Sequence, residues 1–116
     1  MYQDADALVS FVIQVTGVQL HRLIVIGRSL GTGPASHLGK TYSLGLLVLL
    51  SPLESIHSLV AHSYGSVAKL LIKNRFEVLK NASSFVSPTL IIHGKDDALI
   101  PIAHAQNIYG KLIASS

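Results

Sequence analysis

At 116 residues the chain holds one domain at most, near the lower range for a domain with a well-buried core. Hydrophobic residues make up 49% and charged ones 13%, with a mean hydropathy of +0.49, against roughly 25% charged residues in an ordinary soluble domain, so much of this surface is expected to lie inside a larger fold or against an obligate partner chain. The net charge of +3 is scattered and aromatics are only 6%, which gives nucleic-acid binding no support, and the absence of cysteine excludes a disulfide framework, a thiolate metal site and a thiol nucleophile.

The first predicted element is a helix over Asp4 to Val15, with an acidic start and a stop near Gly17. Leu23 to Ile26 reads as a short buried strand, followed by a helix from Leu30 to about Tyr42 with Pro34 in its first turn. Leu46 to Leu50 is the next strand, closed by Ser51-Pro52. The region Leu53 to Val86 has room for two helices and is expected to form a lid-like insert over about 53–86. Its later part sets Lys69, Lys73 and Arg75 opposite Val67, Leu70 and Leu71, a stripe that reads as a solvated face, with contact to a membrane surface or a lipidated substrate as the alternative. Thr89 to His93 is a third strand, closed by Gly94, and a last helix runs from about Ile102 to Ile113. Unbroken apolar runs mark strands covered on both faces, as in parallel sheets with helical crossovers, so the class is α/β with about three parallel strands and flanking helices.

The longest apolar stretch, Leu44 to Leu50, is far short of the roughly 20 residues that cross a bilayer, and the Met1 end has no basic region followed by an apolar one. The expected location is cytoplasmic, with peripheral membrane contact left open. Asn81-Ala82-Ser83 fits the glycosylation pattern but carries little meaning without a secretory route.

The glycine-rich stretch from Ile26 to Thr41 admits three chemistries. A phosphate-binding P-loop needs four residues between its first glycine and Gly39-Lys40-Thr41. Gly33 leaves five, and the position that would need glycine is Pro34, which has no N–H to offer. A dinucleotide fingerprint fails because Ser36 stands where its third glycine belongs. The third reading fits every position. Gly27-Arg28-Ser29-Leu30-Gly31 matches G-x-S-x-G, a sharp strand-to-helix turn that exposes a serine nucleophile. Gly27 and Gly31 are expected there because side chains would collide with the neighbouring strand and helix. Such a turn aims the Leu30 backbone N–H at a developing oxyanion.

A serine hydroxyl needs a base, and the base an acid to hold it. Asp96 and Asp97 follow the third strand, at the end of a parallel sheet where Ser29 also lies. Asp97 is preferred, Asp96 is a candidate turn cap, and both remain open to a reading as turn residues. No His-x-x-x-His pair suggests a metal, so no metal and no cofactor is expected.

The chain resembles the C-terminal half of an α/β-hydrolase and is similar to the serine hydrolases that include protein depalmitoylases (acyl-protein thioesterases). Three blocks carry the resemblance: "GRSLGTGP", "LLSPLES" and "SPTLIIHGKDDALIP". It implies a partial α/β-hydrolase fold over 1–116, Ser29 as nucleophile, Asp97 as acid through Gly94-x-x-Asp97, and an ester or thioester substrate such as an acyl group on a protein cysteine. The family's catalytic histidine lies beyond the helix that ends this chain, and its second oxyanion donor precedes Met1. His104, seven residues past Asp97, is the substitute base to consider, while His93 reads as packed structure. Two functions therefore compete: a serine hydrolase, and a catalytically inactive remnant that binds a partner chain through an uncovered sheet edge.

Overall fold

The computed structural model describes residues 2–65 and 77–115. Helix α1 (Tyr2–Thr16) presents Ala5, Val9 and Ile13, spaced four apart on one face, to a small core with Leu38 and Leu44. It stops at Gly17, whose φ of 70° suits glycine and whose N–H caps the Ile13 carbonyl at 2.8 Å. After a 3₁₀ turn at Leu20–Arg22 comes strand β1 (Ile24–Arg28), a second 3₁₀ turn at Ser29–Gly31 and helix α2 (Thr32–Thr41). Strand β2 (Leu46–Leu50), helices α3 (Ile56–Tyr64) and α4 (Val78–Ala82), strand β3 (Thr89–Ile92) and helix α5 (Ile102–Ala114) complete the order.

The strands form a parallel sheet in the order β1-β2-β3, with Gly27 level with Leu49 and Leu49 level with Ile91. The class read from the apolar runs is the class observed. The main core joins Leu47 and Leu49 of β2 to Ala35 of α2, Val78 and Ala82 of α4 and Ile108 of α5, with Val25 and Ile91 packed at its sides. Each fully buried Leu or Ile here contributes about 1.5–3 kcal/mol.

Three local expectations change. β1 runs two residues further than expected, to Arg28, and the following helix begins at Thr32 because Ser29–Gly31 is wound tightly as 3₁₀. Pro34 still falls in the first turn of α2, where its missing N–H has no intrahelical partner to lose. The expected cover on both sheet faces is found on one. The core-forming helices α2, α4 and α5 share the face of Val25, Leu47, Leu49 and Ile91. On the opposite face Ile24 and Ile26 are 61% and 64% exposed, and Leu90 and Ile92 are 45% and 51% exposed. Unbroken apolar runs therefore reflect two apolar faces, of which the described helices cover one.

The stripe of Lys69, Lys73 and Arg75 opposite Val67, Leu70 and Leu71 lies outside the described residues. Asn81 is buried in the folded chain, donating to the Ser36 hydroxyl at 3.1 Å and accepting from Lys40 at 3.3 Å, so its side chain is not presented as a glycan acceptor. Lys40 thus sits at the C-terminal end of α2, away from the amide groups a phosphate would require. No helix among the described residues is long and apolar enough to cross a membrane.

Candidate active site

Ser29 follows the last residue of β1 directly. Arg28 is extended, Ser29 has φ 50°, and the chain then turns helical at once. For a residue with a β-carbon that left-handed conformation costs roughly 1–2 kcal/mol, so the surroundings must impose it. Two bonds do so: the Thr32 hydroxyl donates to the Ser29 carbonyl at 2.6 Å, and the Thr32 amide donates to the same carbonyl. Thr32 is fully buried. Gly27 allows the close approach. A β-carbon there would lie 2.6 Å from the Ala35 Cβ, 2.7 Å from the Gly31 carbonyl oxygen and 2.9 Å from the Thr32 Cα. The collision expected at Gly31 is absent: it has ordinary helical angles, φ −65° and ψ −14°, and open space where a side chain would project. Leu30 occupies the first turn, where amide groups have no acceptor within the helix.

Asp97 lies in the loop after β3, its side chain 22% exposed. Its Oδ1 accepts the Leu99 and Ile100 amides, both at 2.9 Å. The Ile100 amide is the main reason its carboxyl titrates below the usual value, helped by the Leu99 amide, by His93 and by the Ser51 side chain. Asp97, rather than Asp96, is therefore the side chain that caps this turn, and it does so with one oxygen. Oδ2 sits 3.7 Å from His93 Nε2. Asp96 is exposed.

The parallel register brings these groups to one end of the sheet. Arg28 is level with Leu50 and Leu50 with Ile92, so Ser29, Ser51 and His93 form the next row. Adjacent strands are about 4.8 Å apart, which puts the ends of β1 and β3 about 10 Å apart, room for one side chain between them. Ser51 stands in the middle of that row. It too has a left-handed φ, 46°, and its N–H donates to the Ile92 carbonyl at 2.7 Å. Sequence reading gave Ser51 no role beyond closing a strand. The Ser51-Pro52 pair signals a turn, but positive φ at a serine leaves no mark in the sequence.

Three histidines have bonds of their own in the folded chain. His104, on α5, is buried, and its Nδ1 accepts the Glu54 amide at 3.0 Å; burial lowers its pKa. His93 Nε2 donates to the Ile100 carbonyl at 2.7 Å, and the ring is 3% exposed. His37, on α2, pairs with both oxygens of Asp6 at 3.0 and 3.1 Å and stacks on Tyr2 with ring centres 4.6 Å apart. Among the described residues, no three His, Asp or Glu side chains gather as a metal site requires.

A strained serine at the tip of one parallel strand and an acid loop at the tip of another invite comparison with known folds. A Mycobacterium tuberculosis puromycin-hydrolyzing peptidase superposes with a TM-score of 0.70 over 97% of this chain and 18% of that one, at 16% identity. The fold is a partial α/β-hydrolase. No family model matches the chain. Among curated proteins, the chain is 30% identical over 109 residues to alpha/beta hydrolase domain-containing protein aho-3 of Caenorhabditis elegans, covering 94% of the chain and 32% of that protein. It is 29% identical to alpha/beta hydrolase domain-containing protein 17C of Homo sapiens, again covering 94% and 32%. Against protein 17B of Xenopus laevis the identity is 28%, covering 94% of the chain and 37% of that protein. The chain thus spans about a third of the length of the curated relatives it matches.

Proposed function

We propose that the chain carries the nucleophile and the acid of a serine hydrolase that cleaves an ester or thioester, with an acyl group on a protein cysteine as the substrate implied by the resemblance to depalmitoylases. The observation that carries this reading is Ser29, held at φ 50° past the end of β1, at the same end of the sheet as Asp97. In the reaction the Ser29 hydroxyl attacks the acyl carbonyl, the Leu30 N–H stabilises the oxyanion, and Asp97 orients a histidine through Oδ2. His93, His104 and His37 are each bonded elsewhere, and the reading takes that histidine from a further segment or a partner. The substrate is then a lipidated protein met at a membrane surface. A fluorophosphonate probe tests the reading on the chain together with the segment or partner that carries the histidine: Ser29 is labelled, and Ser29→Ala abolishes the label.

A second reading is favoured by the bare sheet face of Ile24, Ile26, Leu90 and Ile92: a catalytically inactive hydrolase remnant that binds a partner chain. A folded chain that resists the probe even with the histidine-bearing segment or partner added, and binds a partner chain through that face, speaks for it.

A further inference from the structure

The loop from Gly94 to Pro101 must hold a carboxylate still while burying little of itself. Lys95, Asp96, Ala98 and Leu99 are all exposed, and the fixed points are Ile100, 2% exposed, and the His93 ring, 3% exposed. The 2.7 Å contact from His93 Nε2 to the Ile100 carbonyl requires Nε2 to carry a proton, and in the neutral ring that leaves Nδ1 a bare acceptor. Nδ1 is buried and has no partner among the described residues. A buried polar atom left without a partner costs about 1–3 kcal/mol, so an apolar side chain of similar volume would fill the site more cheaply. What the imidazole supplies in return is the Nε2–H. Its acceptor belongs to the residue whose amide grips Asp97: Ile100 donates its N–H to Oδ1 at 2.9 Å and offers its carbonyl to His93. Both ends of Ile100 are thereby fixed, one by the acid and one by the last turn of backbone leaving β3. Two titratable groups feel the His93 ring: Asp97, on its own loop, and His104, on α5.

We propose that His93 is a positioning residue for Asp97: by clamping the Ile100 carbonyl it presents the Ile100 and Leu99 amides to Oδ1 and keeps Oδ2 turned toward the base. The proposal rests on Asp97 being the acid of the hydrolase described above. It takes His93 out of contention as the base, because the nitrogen nearest the acid is committed to a carbonyl.

The test is a carbon-detected NMR titration of Asp97 in the 116-residue chain, with amide exchange at Leu99 and Ile100. In His93→Leu the Asp97 midpoint moves up, and the two amides exchange about tenfold faster, the loss of roughly one hydrogen bond. In His93→Gln, whose side-chain amide still reaches the Ile100 carbonyl, both return toward the parent values. An unmoved Asp97 midpoint in a folded His93→Leu chain overturns the proposal. If the leucine variant does not fold, the parent ring decides: ¹⁵N shifts showing a neutral His93 protonated on Nε2 at pH 7 support it, and the other tautomer or a charged ring overturns it. Fluorophosphonate labelling of Ser29 in the same variants, with the histidine-bearing segment or partner added, separates the two readings. Labelling with an unmoved Asp97 removes the positioning role and keeps the hydrolase; a moved Asp97 without labelling keeps the clamp and removes the hydrolase.

Discussion

At the scale of single residues, the strained backbone of Ser29 is measurable in its own right. Glycine adopts φ 50° without the steric cost that a β-carbon incurs, so Ser29→Gly should be more stable than Ser29→Ala by about 1 kcal/mol in urea melts, although both lose the hydroxyl. Two titrating side chains should give the stability a stepped dependence on pH. His104 has a depressed folded pKa because it is buried; above its unfolded value, about 6.5, it is neutral in both states and costs nothing. As pH falls below that value the unfolded chain takes up a proton that the folded chain refuses, and stability drops. His104→Asn retains an acceptor for the Glu54 amide without titrating, and its stability should be flatter as pH falls below about 6.5. Asp97 acts at lower pH. Its folded pKa is also depressed, so its contribution is present above the unfolded carboxylate pKa and is lost as pH falls through the folded one; Asp97→Asn removes that second step.

At the scale of elements, the contact between β1 and α2 decides whether the serine turn forms. Gly27→Ala forces a β-carbon into the backbone of Gly31 and Thr32, which cannot move without unwinding the start of α2, and should cost at least about 1–3 kcal/mol. Gly31→Ala should be neutral or stabilise by about 0.4–1 kcal/mol, since the helical conformation suits alanine and the space is open. Thermal melts of the two variants read the asymmetry directly. The pattern G-x-S-x-G makes these glycines look equivalent, and only the packing separates them. A second tie joins the segment before α3 to α5, through the Glu54 amide on His104 and the Glu54 carboxylate on Asn107 at 2.6 Å.

At the scale of the whole molecule, a chain with 13% charged residues leaves Ile24, Ile26, Leu90 and Ile92 exposed around the buried Val48 on one face of its sheet. Exposed apolar patches of this kind drive association, so the chain should self-associate with rising concentration, and replacing Ile26 and Ile92 together by Thr should weaken that in sedimentation experiments. The threonines are β-branched and keep strand propensity, and both positions are more than half exposed, so thermal stability should change little. A pair of substitutions that unfolds the chain would instead show that this face is buried in its resting state.

Much of the fold was legible in the residues alone. Short unbroken apolar runs separated by helical spacing mean parallel strands with two apolar faces, even though the described helices cover only one of them. The letters around Ser29 and Asp97 also marked two loops that a parallel sheet must deliver to the same end. Other features depended on how elements pack against one another. That Gly27 is needed and Gly31 is not follows from the distance between β1 and α2. That Asp97 caps its turn with one oxygen, with His93 clamped to the Ile100 carbonyl and Ser51 standing between the two loops, follows from side chains meeting across the strand ends. The sequence by itself determined which residues are apolar and where the chain must turn, because those are local properties. Only the tertiary structure decided which apolar face is covered and which histidine nitrogen is engaged, because both depend on neighbours distant along the chain.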